Sequence, residues 1–262
     1  VRLLQAHPLF PRGGAGLSGE PSPQEGLAER LARIRGRIED ACGRAGRPAG
    51  GVTLLGASKT QPAPVLAEAF HAGLRVFGEN RVQEGLAKSR ELPPEIAGQI
   101  DWHLIGPLQS NKVRSALELF RTIHSVDRSR IAAAIDREAG ARGLAVAGFL
   151  EVNLGGEESK HGFPLAGLAE AILPLSRLQH LRIVGLMAIP PLGEVAEASR
   201  PWFRRLRELR DDLAARPEWA GFPGWLSMGM SDDFEVAIEE GATHVRVGTA
   251  LFGPRQGWVP DR

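Results

Sequence analysis

The chain has 262 residues, 43% of them hydrophobic, which suits one large α/β barrel or two small domains with a substantial core. Its 32 Lys and Arg balance 31 Asp and Glu, so a net charge of +1 gives no reason to expect nucleic acid or another polyanion as partner. The single cysteine, Cys42, excludes an intrachain disulfide, and no apolar run approaches the roughly 20 residues that span a bilayer. The expectation is a soluble, cytoplasmic protein without membrane contact.

Residues 1–23 read as a flexible N-terminal extension. Val1, Leu3 and Leu4 give way to Pro, Gly and Ser, without the continuous apolar core of a signal peptide. Leu27, Leu31, Ile34, Ile38 and Cys42 then recur at spacings of three and four, which predicts a helix ended by the Gly-rich stretch Gly43–Gly51.

From there short β-prone runs alternate with amphipathic stretches. The runs are Val52–Ala57, Leu74–Phe77, Ile100–Ile105, Arg121–Val126, Val146–Val152, Leu181–Met187, Gly224–Met228 and Thr243–Val247. The helical stretches include Pro64–Ala72, Gln109–Leu119, Arg128–Ala141, Leu165–Leu175, Val195–Ala215 and Asp232–Glu240. Eight βα units predict a parallel sheet, and eight strands close a (β/α)8 TIM barrel, here a single domain over residues 24–262 with an extra N-terminal helix. A doubly wound open sheet is the rival, but no GxGxxG follows the first strand.

Chemistry in such a barrel sits at the carboxyl-terminal ends of the strands. The first run ends in "LLGASKT", placing Lys59 just past an apolar strand. Partial desolvation there raises the neutral, nucleophilic fraction of an amine, although by position alone Lys59 reads more simply as a lysine reaching water. The last two units strengthen the chemical reading. Ser231 and Asp232 precede a helix, Asp232 and Glu235 have capping-box spacing, and Gly248 and Thr249 follow the eighth run. Helix starts and small residues offer backbone N–H groups to an anion, and the loops after strands seven and eight commonly hold phosphate in this fold. Arg246 shares a strand face with His244 and needs an acceptor, either a ligand ring nitrogen or carboxylate, or a neighbour such as Glu151. Glu79, Asn80, Gln109–Lys112, His124, Asp127 and Asn153 add polar groups around the expected rim, with His103 within the third strand.

The segments "SKT", "FGENRVQE", "WHLIGPLQSNK", "HSVD", "ESKHGF", "GLMAIP" and "SMGMSDDFEVAIEEGATHVRVGTALFG" follow one another in order. From about Leu27 to Gly253 the chain closely resembles the pyridoxal phosphate homeostasis proteins (YggS/PROSC type), relatives of the alanine racemase barrel domain. The resemblance implies pyridoxal 5′-phosphate (PLP) held as a Schiff base on Lys59. It further implies phosphate contacts from Ser231, Gly248 and Thr249, Arg246 facing the pyridine nitrogen, and Asn80 near the ring. One departure stands after "FGEN", where the family pattern has tyrosine and this chain has Arg81.

Arginine only donates hydrogen bonds. Opposite the ring nitrogen it favours the unprotonated form and weakens the electron sink of PLP enzymes. The resembling racemases take a second acid/base group from a tyrosine of a further C-terminal domain, whereas this sequence contains no tyrosine and leaves little room after its eighth run. The expectation is therefore a non-catalytic carrier, a monomer that delivers PLP to apoenzymes. The alternative is a PLP enzyme, such as a slow amino-acid racemase using a histidine as second base. None of the seven histidines has metal-site spacing, and a class I aldolase would not explain a phosphate cradle. The Arg-rich segment "RPWFRRLRELRDDLAAR" has one apolar stripe, Phe203, Leu206, Leu209 and Leu213, and reads as an outer barrel helix.

Overall fold

A computed structural model describes residues 25–157, 161–166, 168–191 and 195–253; the extension expected over residues 1–23 lies outside them. The strands are β1 (Thr53–Ala57), β2 (Val76–Glu79), β3 (Asp101–Leu104), β4 (Thr122–Val126), β5 (Val146–Asn153), β6 (Phe163–Pro164), β7 (Leu181–Met187), β8 (Trp225–Ser227) and β9 (His244–Val247). All pairs are parallel. β1 through β5 continue to β7, β8 and β9, and β9 pairs with β1, so eight strands close a TIM barrel and the two-residue β6 is an appendage on β5.

The helices are α1 (Leu27–Arg44), α2 (Ala63–His71), α3 (Val82–Glu91), α4 (Pro94–Ala97), α5 (Val113–Leu119), α6 (Ser129–Ala141), α7 (Leu168–Ile172), α8 (Arg200–Ala214), α9 (Phe234–Glu239) and α10 (Thr249–Phe252). In α1 the five apolar residues at helical spacing are all buried. The helix packs against α2, α9 and α10, and Arg30 Nε donates to the Leu251 carbonyl at 2.7 Å. Because α10 has only four residues, α1 occupies the outer place an eighth helix would fill. On α8, Phe203, Leu206 and Leu213 are buried, while Arg200, Arg204 and Arg207 converge on the Glu240 carboxylate at 3.3, 3.0 and 2.6 Å.

Three expectations shift. The second strand is Val76–Glu79 rather than Leu74–Phe77, because Leu74 belongs to the end of α2: its N–H bonds to the Ala69 carbonyl after Gly73 at φ +100°. The cap of α9 is Asp233 rather than Asp232, and no capping box forms, since Glu235 pairs with Arg37 at 2.7 Å. His124, expected around the end of the fourth strand, lies buried inside the barrel with His103 of β3, and its ring stacks on Phe149 at 4.2 Å.

Candidate functional site

The six residues singled out from the sequence sit on four consecutive barrel strands. Ser231 follows β8, Arg246 lies in β9 with Gly248 and Thr249 just beyond it, Lys59 follows β1 and Asn80 follows β2. Every one stands at or near the carboxyl-terminal end of its strand, so all share one side of one rim. Gly106 lets the end of β3 approach Asn80, for a Cβ there would lie 2.3 Å from the Asn80 carbonyl oxygen.

The loops after β8 and β9 meet at Ser231. Its Oγ accepts the backbone N–H groups of Gly248 at 3.2 Å and Ala250 at 3.3 Å. Gly248 caps α10, and a Cβ placed there would make only ordinary contacts with Ala57, 3.5 Å from its oxygen. Nothing in the chain itself therefore demands a glycine at this lip. Thr249 begins α10 with its side chain exposed.

A buried ion cluster grips the residues on both sides of Lys59, which is itself half-buried. Lys88, reaching in from α3, donates to the Ser58 carbonyl at 2.8 Å, to both Glu79 oxygens at 2.9 and 3.0 Å, and to Glu84 at 2.7 Å. Ser58 Oγ donates to Glu79 at 2.6 Å, and the Thr60 N–H donates to Glu84 at 2.7 Å. Thr60 has φ +68°, a left-handed conformation costly for a β-branched residue, so the turn just after the lysine is strained and pinned by Glu84. Burial pushes the Glu79 carboxyl above its usual range, and its bonds to Ser58 and Lys88 offset only part of this.

Arg246 is buried. It donates to Ser227 Oγ at 2.6 Å and to the Ala188 carbonyl at 3.1 Å. The partner anticipated from the sequence, Glu151, makes no hydrogen bond to it among those described and acts on it only through its charge. Burial pulls the guanidinium down to about 10, against the Asp233 and Glu151 carboxylates, so it stays cationic at neutral pH. Glu151 is pushed up to about 7, first by burial and then by the Asp127 carboxylate, with Arg246 opposing.

Sequence reading missed Lys88, Glu84 and Ser227. Lys88 falls four residues after Glu84 on a helix, a spacing that signals an ordinary surface ion pair. Ser227 gave only a weak signal, a serine at the end of a three-residue strand.

The alanine racemase N-terminal domain family matches residues 31–256. The pyridoxal phosphate homeostasis protein of Aquifex aeolicus is 48% identical over 228 residues, covering 87% of this chain and 98% of the relative. That of Pseudomonas aeruginosa is 47% identical over 239 residues, covering 89% and 98%. Among solved structures, PipY of Synechococcus elongatus with PLP bound superposes with a TM-score of 0.74 at 42% identity, covering 87% of this chain and 100% of that one. Alanine racemase of Corynebacterium glutamicum, at 16% identity and a TM-score of 0.62, shares the fold. The chain belongs to the pyridoxal phosphate homeostasis protein family, built on the alanine racemase N-terminal domain.

Proposed function

We propose that this chain binds pyridoxal 5′-phosphate reversibly, as a Schiff base on Lys59, and acts as a carrier in vitamin B6 homeostasis with little or no turnover. When bound, the cofactor supplies an aldehyde that condenses with an amine and a ring that accepts electron density from an attached carbon.

One observation carries the reading: Lys59, Asn80, Arg246, Gly248, Thr249 and Ser231 come together from four adjacent strand ends. Ser231, with the N–H groups of Gly248 and Ala250, would take the phosphate, and no side chain at Gly248 stands in the way. Arg246, held cationic, would face the ring nitrogen as a donor and oppose its protonation, which favours a carrier over an enzyme. Asn80 would border the ring. The PLP-bound state of PipY, a relative of similar length, supports the same ligand here. Among the described residues, His103, His124 and His244 lie inside the barrel, bonded to each other, to Ser227 or to Thr243, which weakens the alternative of a slow racemase with a histidine base. Delivery to PLP-dependent apoenzymes in the cytoplasm, by a monomer acting through residues 24–262 as one domain, completes the proposal. Among the described residues no helix is long and apolar enough to cross a membrane.

The test is an absorbance spectrum of the protein with PLP before and after borohydride. The imine should absorb near the visible and become permanently attached, and Lys59→Ala should abolish the attachment. Incubating loaded protein with L- and D-amino acids in deuterated water should give negligible α-hydrogen exchange; rapid exchange would favour the enzyme.

A further inference from the structure

Inside the barrel an unbroken series of polar contacts runs from one face towards the other. Asp101, half-exposed at the start of β3, places Oδ2 3.2 Å from His103 Nε2, an ion-pair distance, although His103 Nε2 makes no hydrogen bond. His103 Nδ1 and His124 Nε2 are 2.9 Å apart, His124 Nδ1 and Ser227 Oγ are 2.7 Å apart, and Ser227 Oγ accepts from Arg246 at 2.6 Å. The series enters at the amino-terminal end of β3, crosses through β4 and β8, and ends near the carboxyl-terminal end of β9. His103, His124, Ser227 and Arg246 are all buried.

We propose that Ser227, His124 and His103 form a one-directional hydrogen-bond wire behind Arg246 that ends facing the Asp101 carboxylate, and that they are positioning residues for Arg246.

The Arg246 end dictates the direction, because arginine can only donate. Ser227 Oγ, already receiving from Arg246, sends its own proton to His124 Nδ1. His124 is then protonated on Nε2 and donates to His103 Nδ1. His103 carries its proton on Nε2, facing Asp101. Each hydrogen bond of the wire then has one proton. The reverse orientation would give Ser227 two donors, leave its hydroxyl proton without an acceptor in a buried site, and set a bare His103 nitrogen against the carboxylate. Burial, with the charges of His103, His244 and Arg246, holds His124 well below the ordinary imidazole range, in keeping with a neutral ring. Burial raises Asp101, but its contact with His103 and the nearby His244 outweigh this and keep the carboxyl below its usual range.

Within the function proposed above, the wire fixes which Arg246 nitrogens remain for the cofactor ring. A guanidinium with two donors committed, one to Ser227 and one to the Ala188 carbonyl, has a single orientation.

Nitrogen-15 NMR of histidine-labelled protein without ligand tests the direction alone. Both His103 and His124 should be the Nε2–H tautomer, and an Nδ1–H signal for His124 overturns the wire. Three variants loaded with PLP test its consequence. Ser227→Ala should shift the absorbance maximum and speed PLP release about tenfold, the equivalent of one charge-assisted hydrogen bond; Asp101→Leu, which removes the charge facing His103, should act in the same direction, while Asp101→Asn, which keeps an acceptor there, should stay closer to wild type. Asp101 is half-exposed, so its pair of variants stays informative should Ser227→Ala fold poorly. Borohydride attachment at Lys59 with unchanged spectra and release in Ser227→Ala and Asp101→Leu overturns the positioning role and leaves the carrier reading standing. Loss of attachment in wild type sinks the carrier reading and leaves the tautomer result valid.

Discussion

Lys59 is flanked by two supports of opposite chemistry. Towards β2 and α3 lies a buried, fully ionic cluster in which Lys88 bridges Glu79, Glu84 and the Ser58 carbonyl. Towards β8 and β9 lies a neutral cradle, a serine hydroxyl holding two backbone N–H groups. The difference is one of timing. The ionic side is complete without a ligand, so it can hold the strained Thr60 turn, and the lysine before it, in place permanently. The neutral side has donors that a hydroxyl occupies only weakly and that an arriving anion can claim. Neutral donors grip a phosphate less firmly than an arginine pair would, in keeping with the reversible binding proposed above.

The ionic side should prove the more fragile. Lys88→Met leaves Glu79, fully buried, without its cation, and the expected cost is about 3–5 kcal/mol of unfolding free energy, read by urea denaturation. Glu79→Gln added to Lys88→Met should recover much of that loss, because no stranded charge remains. A single variant as stable as wild type would show that the cluster does not behave as an ion pair.

Glu151 offers a half-buried carboxyl for contrast. Its folded value of about 7 lies above the roughly 4.3 of an unfolded glutamate, so the folded state binds the proton more tightly. Its contribution to stability is fully present below about pH 4.3 and is lost as pH rises through 7. Glu151→Gln should therefore match wild type near pH 4 and exceed it by about 1–3 kcal/mol at pH 8. Equal stability of the two proteins across that range would mean that Glu151 titrates normally.

Much of this arrangement was legible in the sequence, and the reason is local. Eight β-prone runs separated by helical stretches gave the barrel, and strand ends identify rim residues whatever the side chains do, so Lys59, Asn80, Ser231, Gly248 and Thr249 could be placed by counting. The supports were not legible because they depend on which side chain turns inward from another element. Lys88 reads as a solvated helix charge until α3 is seen to lie against β1 and β2. Asp232 and Asp233 are neighbours, and only the turn geometry decides which accepts the Met230 N–H, at 2.7 Å from Asp233. Arg246 was rightly expected to need acceptors. Its actual ones are a serine on the next strand and a main-chain carbonyl, which no spacing rule would single out.

The smallest effect is expected on the neutral side, and it is the sharpest test of the contrast. Ser231→Ala removes the acceptor for the Gly248 and Ala250 N–H groups, but these lie at a half-buried rim where water can replace it, so stability should fall by less than about 1 kcal/mol. Affinity for PLP should drop about tenfold, since one hydrogen bond to a charged group is lost. Pyridoxal, which carries the same aldehyde and ring without the phosphate, should bind wild type and variant alike. The ratio of the two ligands' affinities thus isolates the cradle from the lysine. Were pyridoxal weakened as much as PLP, the serine would be acting on the ring or the amine, and the division into a permanent ionic side and a ligand-filled neutral side would fail.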